Sequence, residues 1–291
     1  MTPKPISISI VIPNYNGAHF LESCLNSLFT SISLCPTTHF EIILVDNASS
    51  DNSLDSFRVF QNLNKSSMNL KFKSISLSAN TGFAYAVNRG IEASVYEYVC
   101  VCNNDLTVHQ TWFKNITSTI SSNKNSKITT FFGLVLNKDG TKVESRGLKF
   151  YPYGKAENID NGQAYSLPVI ASAARQSHPY LIWGASASIV VYHKLTLLKV
   201  GLFDERFFAY IEDVDLSYRL NKSGYKTLFV PDAKSFHLGG GTAGKNSFLR
   251  KKLTFINWLK FLKKNYATNE LLINLPGIIL ERFRLLFSFF L

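Results

Sequence analysis

The first half of the sequence alternates short apolar runs with amphipathic segments, and this succession leaves few folds open to the chain. Apolar runs rich in β-branched residues predict strands at 6–12, 41–45, 71–77 and from Tyr98 onward. Helical periodicity separates these strands at 18–30, from Ser50 or Asp51 to residue 63, and at 83–93. Because strands and helices alternate at such short spacing, we predict a doubly wound, mainly parallel α/β sheet with helices on both faces.

The fourth predicted strand ends abruptly in two amides and a carboxylate. Its apolar residues are followed directly by Asn103, Asn104 and Asp105. In an open α/β sheet, ligands bind outside the carboxyl ends of the strands. We therefore expect Asp105 to lie where a metal-bound phosphate would sit.

The first and second strands also end in polar segments. Residues 13–17, Pro-Asn-Tyr-Asn-Gly, predict a turn, and Asp46 closes the second strand. The loop 78–82 follows the third strand and is polar, as loops usually are. Asp46 and Asp105 at adjacent strand ends would repel each other, unless a cation or a hydrogen-bond donor lies between them.

A dense acidic cluster opens a later helix. Glu212, Asp213 and Asp215 stand at its start, where carboxylates stabilise the positive end of the helix dipole, so capping explains at least one of them. The preceding aromatic run 207–211 makes the surroundings apolar, which raises the pKa of a carboxylate toward that of a general base. Further on, His237 precedes three glycines that can wrap a phosphate, although a lone histidine is more often structural.

The rest of the chain gives weaker patterns. Residues 121–181 predict only hairpins and loops, punctuated by glycines. Small residues at 184–188 precede a strand and a short helix at 193–200, and a strand at 226–230 is followed by a predicted turn at 231–233. The four cysteines lack zinc-site spacing, so we expect them to be reduced and buried, as in a reducing compartment. The N-terminal apolar run is too short for a secretory signal.

The net charge of +11 is concentrated toward the C-terminus. Anionic lipid and nucleic acid are the natural partners of such a charge, but the acidic clusters around the predicted cleft argue against binding of a nucleic-acid backbone there. Residues 248–266 predict a basic amphipathic helix, and 271–291 contain too many charges for a membrane span. We expect this tail, 246–291, either to lie on a membrane or to pack on the domain formed by 1–245.

Five segments taken together resemble a known family. They are 13–16 (PNYN), 45–51 (VDNASSD), 80–84 (NTGFA), 103–105 (NND) and 212–216 (EDVDL). In this order and spacing they resemble the family 2 glycosyltransferases of GT-A fold, and most of all the rhamnosyltransferase-like branch of bacterial cell-surface polysaccharide synthesis. The resemblance covers roughly residues 6–245.

The resemblance implies an inverting transferase that moves a sugar from a nucleotide diphosphate, dTDP or UDP, to a hydroxyl of a lipid-linked glycan. It further implies Mg²⁺ or Mn²⁺ as cofactor and a place at the cytoplasmic face of the inner membrane. Asp213 would be the base and Glu212 an acceptor contact, while Asp105 and His237 would bind the metal. Asn103 replaces the first aspartate of the family's DxD motif. The implied donor-binding residues are Pro13, Tyr15, Asp46, Asn80, Gly82, Asn103, Asn104, Asp105, Trp183 and Gly184.

Other functions remain open on the sequence. A hexose or galactofuranose transferase using UDP would share the same motifs, and an inactive scaffold or membrane-binding protein would tolerate Asn103. A sugar nucleotidyltransferase needs a glycine-rich loop with arginine after the first strand, and a dinucleotide-dependent oxidoreductase needs GxGxxG there. Residues 13–17 provide neither loop.

Overall fold

In a computed structural model of the chain, the described residues, 5–67, 69–165, 178–239 and 248–287, form twelve strands and eight helices. The strands are β1 (Ser7–Asn14), β2 (His39–Asp46), β3 (Leu70–Ser76), β4 (Tyr98–Cys102), β5 (Leu106–Val108), β6 (Ile128–Asn137), β7 (Val143–Ser145), β8 (Leu148–Tyr151), β9 (Lys155–Asn158), β10 (Tyr180–Ile182), β11 (Ile189–His193) and β12 (Lys226–His237). The helices are α1 (Ala18–Ser33), α2 (Ser53–Asn64), α3 (Phe83–Ala93), α4 (Trp112–Ser122), α5 (Lys194–Val200), α6 (Glu212–Lys222), α7 (Phe248–Asn265) and α8 (Thr268–Phe287).

One large sheet organises these elements, with the strand order β10-β12-β6-β11-β4-β1-β2-β3. The half formed by β4, β1, β2 and β3 is parallel throughout. Strand β11 runs antiparallel between β4 and β6, and β12 is parallel to β6. The prediction of a mainly parallel α/β sheet is therefore confirmed, with β11 inserted antiparallel near its centre and the short strands β5, β7 and β10 added antiparallel to β6 or β12.

Helices cover both faces of the sheet, as the pattern predicted. On one face, Gly90 of α3 approaches so closely that an added Cβ would lie 2.2 Å from Val11 of β1 and 3.1 Å from Val45 of β2. On the other face, the ring of Phe40 in β2 meets Phe113 of α4 edge-on at 5.0 Å. Since neighbouring strand residues point to opposite faces, both sides of β1 and β2 are buried, which explains their nearly continuous apolar sequences.

Two of the predictions for the middle and the later half are wrong. Residues 121–181 are not only hairpins and loops, because β6 is a ten-residue buried strand within the main sheet. The turn predicted at 231–233 is instead a bulge inside β12, where the pairing with β6 shifts between Val230 and Lys234. Gly133 of β6 fits this bulge, because a Cβ there would lie 2.2 Å from the backbone oxygen of Ala233.

Smaller corrections concern the ends of elements. Pro13 and Asn14 continue β1, paired with Val45 and Asp46, so the turn begins only at Tyr15. Helix α2 starts at Ser53, and Asp51 rather than Ser50 accepts a hydrogen bond from the Ser53 backbone at 3.1 Å. All four cysteines are buried and free, as predicted.

The C-terminal helices pack against the rest of the chain through a second apolar cluster. Trp258, Phe261 and Leu262 of α7 and Ile278 of α8 are buried there together with Leu148, Phe207 and Val214. The predicted basic amphipathic helix is thus observed as α7, and it packs on the main body. Among the described residues, none of the helices combines the length and the apolar character needed to cross a membrane.

Candidate active site

The ends of β1, β2 and β4 meet through a set of amide and carboxylate side chains. Asn14 donates to Asp46 Oδ1 at 3.2 Å and to Ser49 Oγ at 3.1 Å, and it accepts a 2.6 Å bond from Asn104 Nδ2. Asn14 therefore provides a hydrogen-bond donor to Asp46. Of the predicted donor-binding residues, Asn104 uses one N–H of its side-chain amide in this bond, and Tyr15, the residue after Asn14, is half-buried.

Asn47 organises the predicted nucleotide loop. Its Nδ2 donates to Asn80 Oδ1 at 3.0 Å and to the Gly82 carbonyl at 3.1 Å, and its Oδ1 accepts from the Thr81 backbone at 2.9 Å. Gly82 itself has φ +87°, and a Cβ there would lie 2.3 Å from the backbone oxygen of Phe208. The family resemblance implied that Asn80 and Gly82 bind the donor, but it assigned no role to Asn47, which contacts both residues.

Asp105 and His237 come together although they lie on distant parts of the chain. His237, at the end of β12, has its Nε2 3.1 Å from Asp105 Oδ2. Its other ring nitrogen, Nδ1, lies 2.7 Å from Glu144 Oε2 on β7. Burial alone would lower the pKa of His237, but the hydrogen bonds to Asp105 and Glu144 outweigh it and raise this pKa to about 10. Glu144 was missed, because nothing in the irregular segment around it marks its partner.

This arrangement fits a divalent cation. The second oxygen of Asp105, Oδ1, is buried without a hydrogen-bond partner, and so is Oδ1 of Asn103. His237 Nε2 and the Asp105 carboxylate, whose Oδ2 lies 3.1 Å away, would supply a nitrogen ligand and an oxygen ligand to such an ion. Among the described residues, no group of three or more histidine, cysteine or carboxylate side chains could enclose a metal. An ion here would thus use oxygens of a ligand as well, as Mg²⁺ does with phosphates.

Asp213 lies at the start of α6, half-buried, with both carboxylate oxygens accepting backbone hydrogen bonds. Oδ1 accepts from Val214 at 2.8 Å and Oδ2 from Ala187 at 3.3 Å. Burial raises the pKa of Asp213. Burial and the charge of Asp213 raise the pKa of Glu212 more strongly, and Glu212 Oε2 has no hydrogen-bond partner. The two neighbouring carboxyls are therefore stronger bases than ordinary ones.

The segment before β11 joins Asp213 to the Asn103–Asp105 motif. Ala187 donates to Asp213, and the carbonyl of the next residue, Ser188, accepts a 2.8 Å bond from the Asn103 backbone. A few residues earlier, Trp183 stacks on Phe150 at 4.6 Å. Gly184 faces α6, where a Cβ would lie 2.6 Å from Ser217. The structure thus connects the predicted base to the predicted phosphate-binding motif, and it places Trp183 in the apolar cluster beside α6.

Comparison with known proteins gives the family. The model for glycosyl transferase family 2 matches residues 9–176, more than half of the chain. The N-acetylglucosaminyl-diphospho-decaprenol L-rhamnosyltransferase of Mycobacterium tuberculosis is 39% identical over 61 residues, which cover 21% of this chain and 20% of that protein. The poly-beta-1,6-N-acetyl-D-glucosamine synthase of Staphylococcus epidermidis is 26% identical over 251 residues, or 83% of this chain and 55% of the synthase. The chain thus spans only part of the curated relatives it matches.

A solved structure supports the fold. The crystal structure of GalNAc-T7 with UDP, GalNAc and Mn²⁺ is similar with a TM-score of 0.66 and 16% identity, over 90% of this chain and 48% of that one. At this identity the likeness concerns the fold alone, which is the GT-A fold that the resemblance implied. Because the family model matches more than half of the chain, this chain belongs to glycosyl transferase family 2.

Proposed function

We propose that this chain is an inverting glycosyltransferase that transfers a sugar from a nucleotide diphosphate to a hydroxyl group of a glycan acceptor in polysaccharide synthesis. The observation that carries this proposal is the pair of bonds from Ala187 to Asp213 and from Asn103 to Ser188, which tie a carboxylate base to a phosphate-binding motif. Membership of glycosyl transferase family 2 supports the reaction class.

Asp213 acts as the general base. It takes the proton of the acceptor hydroxyl while that oxygen forms a bond to the anomeric carbon, and the bond from this carbon to the diphosphate breaks on the opposite face. A raised pKa suits this role, because a stronger carboxylate base removes the hydroxyl proton more readily. We assign Glu212, its more deeply buried neighbour, to a contact with the acceptor.

Asp105 and His237 would hold Mg²⁺ or Mn²⁺, and the orphaned Oδ1 of Asp105 is available for it. A bound divalent cation would neutralise the charge that develops on the diphosphate leaving group. His237 would give up its proton on coordination, since only the neutral imidazole binds a metal. Glu144 would orient the imidazole through Nδ1, as second-sphere carboxylates do for metal-binding histidines.

The donor occupies the edge formed by the ends of β1, β2 and β4. We assign the base and ribose to the surroundings of Pro13, Tyr15 and Asp46, and the rest of the nucleotide to Asn80 and Gly82. Asn103 and Asn104 would contribute amides near the diphosphate, and Trp183 with Gly184 would flank the sugar or acceptor. We name dTDP-rhamnose as the first donor to test, in line with the short match to a rhamnosyltransferase, and a UDP-hexose or UDP-galactofuranose as the alternative.

The acceptor is a lipid-linked glycan, and the protein works at the cytoplasmic face of the inner membrane. We divide the chain into a catalytic domain, 1–245, and a tail, 246–291. Helix α8 carries a stripe of exposed apolar side chains, which supports contact with lipid, and exposed basic residues nearby suit anionic headgroups. The stripe consists of Leu272, Ile273, Leu275, Ile279, Leu280, Phe283, Leu286 and Phe287.

A transfer assay with the Asp213→Asn variant tests the proposal. The variant should lose transfer by about 10²-fold or more, as expected for a general base, while still binding the nucleotide. Product of inverted anomeric configuration from the wild type would support the mechanism. An active Asp213→Asn enzyme would exclude Asp213 as the base, and a folded wild type that binds no nucleotide would favour the scaffold alternative.

A further inference from the structure

The loop that leads into α6 is held in a strained conformation. Tyr210 has φ +70° and Ile211 has φ +73°, two consecutive left-handed residues without glycine. Positive φ is an outlier for a β-branched residue, and such conformations persist only where the surroundings impose them. Because Ile211 directly precedes Glu212 and Asp213, whatever imposes this conformation also sets the position of the base.

Asn257 of α7 contacts this loop at its strained point. Its side chain is fully buried, and Nδ2 donates to the carbonyls of Ala209 at 2.8 Å and Tyr210 at 2.9 Å. These carbonyls belong to the two peptide planes on either side of the Tyr210 Cα. The two bonds therefore fix the backbone on both sides of a left-handed residue.

A second set of contacts from α7 reaches the helix that carries the base. Asp215, fully buried and two residues after Asp213, accepts bonds at 2.8 Å from Lys264 and from Asn265. Lys264 also pairs with Asp204, before the loop, at 2.7 Å. Arg219 provides a further bond to Asp215 at 2.8 Å, and Arg206 pairs with Asp204 at 2.6 Å, so three cations surround the two carboxylates. Helix α7 thus joins the chain before the strained loop to the helix after it.

The other side of the loop faces the nucleotide loop. The Phe208 carbonyl accepts a 2.6 Å bond from the Phe83 backbone, next to Gly82. We propose that α7 is part of the active site, with Asn257, Lys264 and Asn265 as positioning residues that hold Asp213 in place for reaction. This inference rests on the proposed role of Asp213 as the base.

The variant Asn257→Asp tests this, because a carboxyl group of nearly equal volume donates no bond when ionised and at most one when protonated, so it cannot bind both carbonyls. The matched control is Leu262→Ala in the same helix, because the apolar Leu262 side chain, which lies against Gly154, makes no hydrogen bond to the loop. We expect Asn257→Asp to lower kcat by about 10- to 100-fold, the effect of misplacing a reacting group. The Kd for UDP with Mn²⁺ should stay within about threefold, which separates positioning from binding.

A second pair of variants tests the Asp215 contact. Lys264→Met keeps the side-chain stem but removes the charge, and the adjacent exposed Lys263→Met serves as its control. We expect a lower kcat for Lys264→Met and an unchanged one for Lys263→Met. Equal kcat values in the two variants would contradict a role for Lys264.

Hydrogen exchange separates this inference from the proposed function. The amides of 208–214 should exchange faster in Asn257→Asp than in Leu262→Ala. The two variants are compared under conditions that give them equal free energies of unfolding. That result supports the positioning role even if Asp213→Asn remains active and the base assignment fails. Equal exchange in the two variants, or a kcat loss in Asn257→Asp no larger than in Leu262→Ala, would overturn it.

Discussion

His237 Nε2 lies 3.1 Å from Asp105 Oδ2, although the two residues are 132 positions apart in the sequence. The sheet produces this proximity, because β12 pairs with β5 and thereby brings His237 opposite Leu106, next to Asp105. A predicted cation site thus depends on the pairing of two strands that are distant in the sequence.

Glu144 should control metal affinity through His237. Removing its carboxylate in Glu144→Ala frees the imidazole to rotate, and we expect Mn²⁺ binding to weaken by about 10- to 100-fold, as for other second-sphere partners. Glu144→Gln should lose less Mn²⁺ affinity, because its amide oxygen can still accept a hydrogen bond from His237 Nδ1. Calorimetric titration of Mn²⁺ in the presence of UDP measures both, with the exposed Asp139→Ala as a control of equal charge change. Wild-type affinity in both Glu144 variants would contradict this role.

Glu212 should make the protein less stable as the pH rises. Burial raises the pKa of Glu212 well above its ordinary value of 4.5. Between pH 4.5 and the raised pKa, folded Glu212 holds a proton that the unfolded chain has released. The free energy of unfolding therefore falls as the pH increases through this window. Each unit by which folding raises this pKa lowers the free energy of unfolding by about 1.4 kcal/mol once the pH exceeds the raised pKa.

Glu212→Gln should therefore have a higher Tm than the wild type at neutral and higher pH, with the difference shrinking toward acidic pH. Thermal unfolding across this pH range measures the effect. The exposed Glu22→Gln should leave Tm unchanged at every pH. A Glu212→Gln variant less stable than the wild type above neutrality would contradict the prediction.

Gly82→Ala should damage both stability and nucleotide binding. The left-handed backbone costs an alanine about 1–3 kcal/mol, and its Cβ would also meet the Phe208 carbonyl at 2.3 Å. Gly224 has a similar φ of +82° but open space around it, so Gly224→Ala is the matched control. Urea unfolding and UDP titration should show a larger stability loss for Gly82→Ala and weakened binding in that variant alone. Equal losses in the two would show that the contact with Phe208 is unimportant.

The tail should unfold together with the rest of the chain. Phe261 is fully buried between rings of both parts, including Phe150 and Trp258, and Phe261→Ala should cost about 3–5 kcal/mol. The exposed Leu272→Ala on α8 should change stability by no more than about 0.5 kcal/mol. A separate early unfolding transition for the tail, with the main transition unchanged by Phe261→Ala, would contradict this packing.

The apolar stripe of α8 should bind anionic lipid. Placing two glutamates on it, Ile279→Glu with Phe283→Glu, should reduce cosedimentation with phosphatidylglycerol vesicles by about tenfold or more, because charges oppose insertion of an apolar helix face. Leu63→Glu, on the exposed part of α2, is the control and should bind as the wild type does. Equal vesicle binding by the stripe variant and the wild type would exclude α8 as the lipid contact.

The sequence predicted the parallel half of the sheet well for a physical reason. Strands β1, β2 and β4 are buried on both faces, so their apolar runs are nearly uninterrupted and bounded by turn residues. The residues that close these runs, Asp46 and Asp105, lie at the predicted edge. Strand β6 escaped prediction although its sequence is equally apolar, because Gly133 interrupts it and its long-range neighbours are invisible in the sequence.

The partners of the site residues were harder to predict than the residues themselves. Glu144 pairs with His237 across a separation of 93 residues, and Asn257 binds a loop 47 residues before it. No local pattern marks such contacts, which arise only once the strands and α7 are placed. The acidic cluster was likewise ambiguous, since Asp215 proved to be a buried ion-pair residue while Asp213 faces the segment before β11.

Thermal stabilisation by nucleotides tests the central claim most directly. A ligand that binds only the folded protein raises its stability by RT ln(1 + [L]/Kd), so UDP, dTDP and GDP can be compared without knowing the acceptor. We expect at least one of them, at about 100 times its Kd and with Mn²⁺, to raise Tm by about 5 °C. This metal-dependent part should disappear in Asp105→Ala and His237→Ala. A folded wild type that responds to none of the three nucleotides, or equal metal-dependent stabilisation in the Asp105→Ala variant, would contradict the proposed donor site.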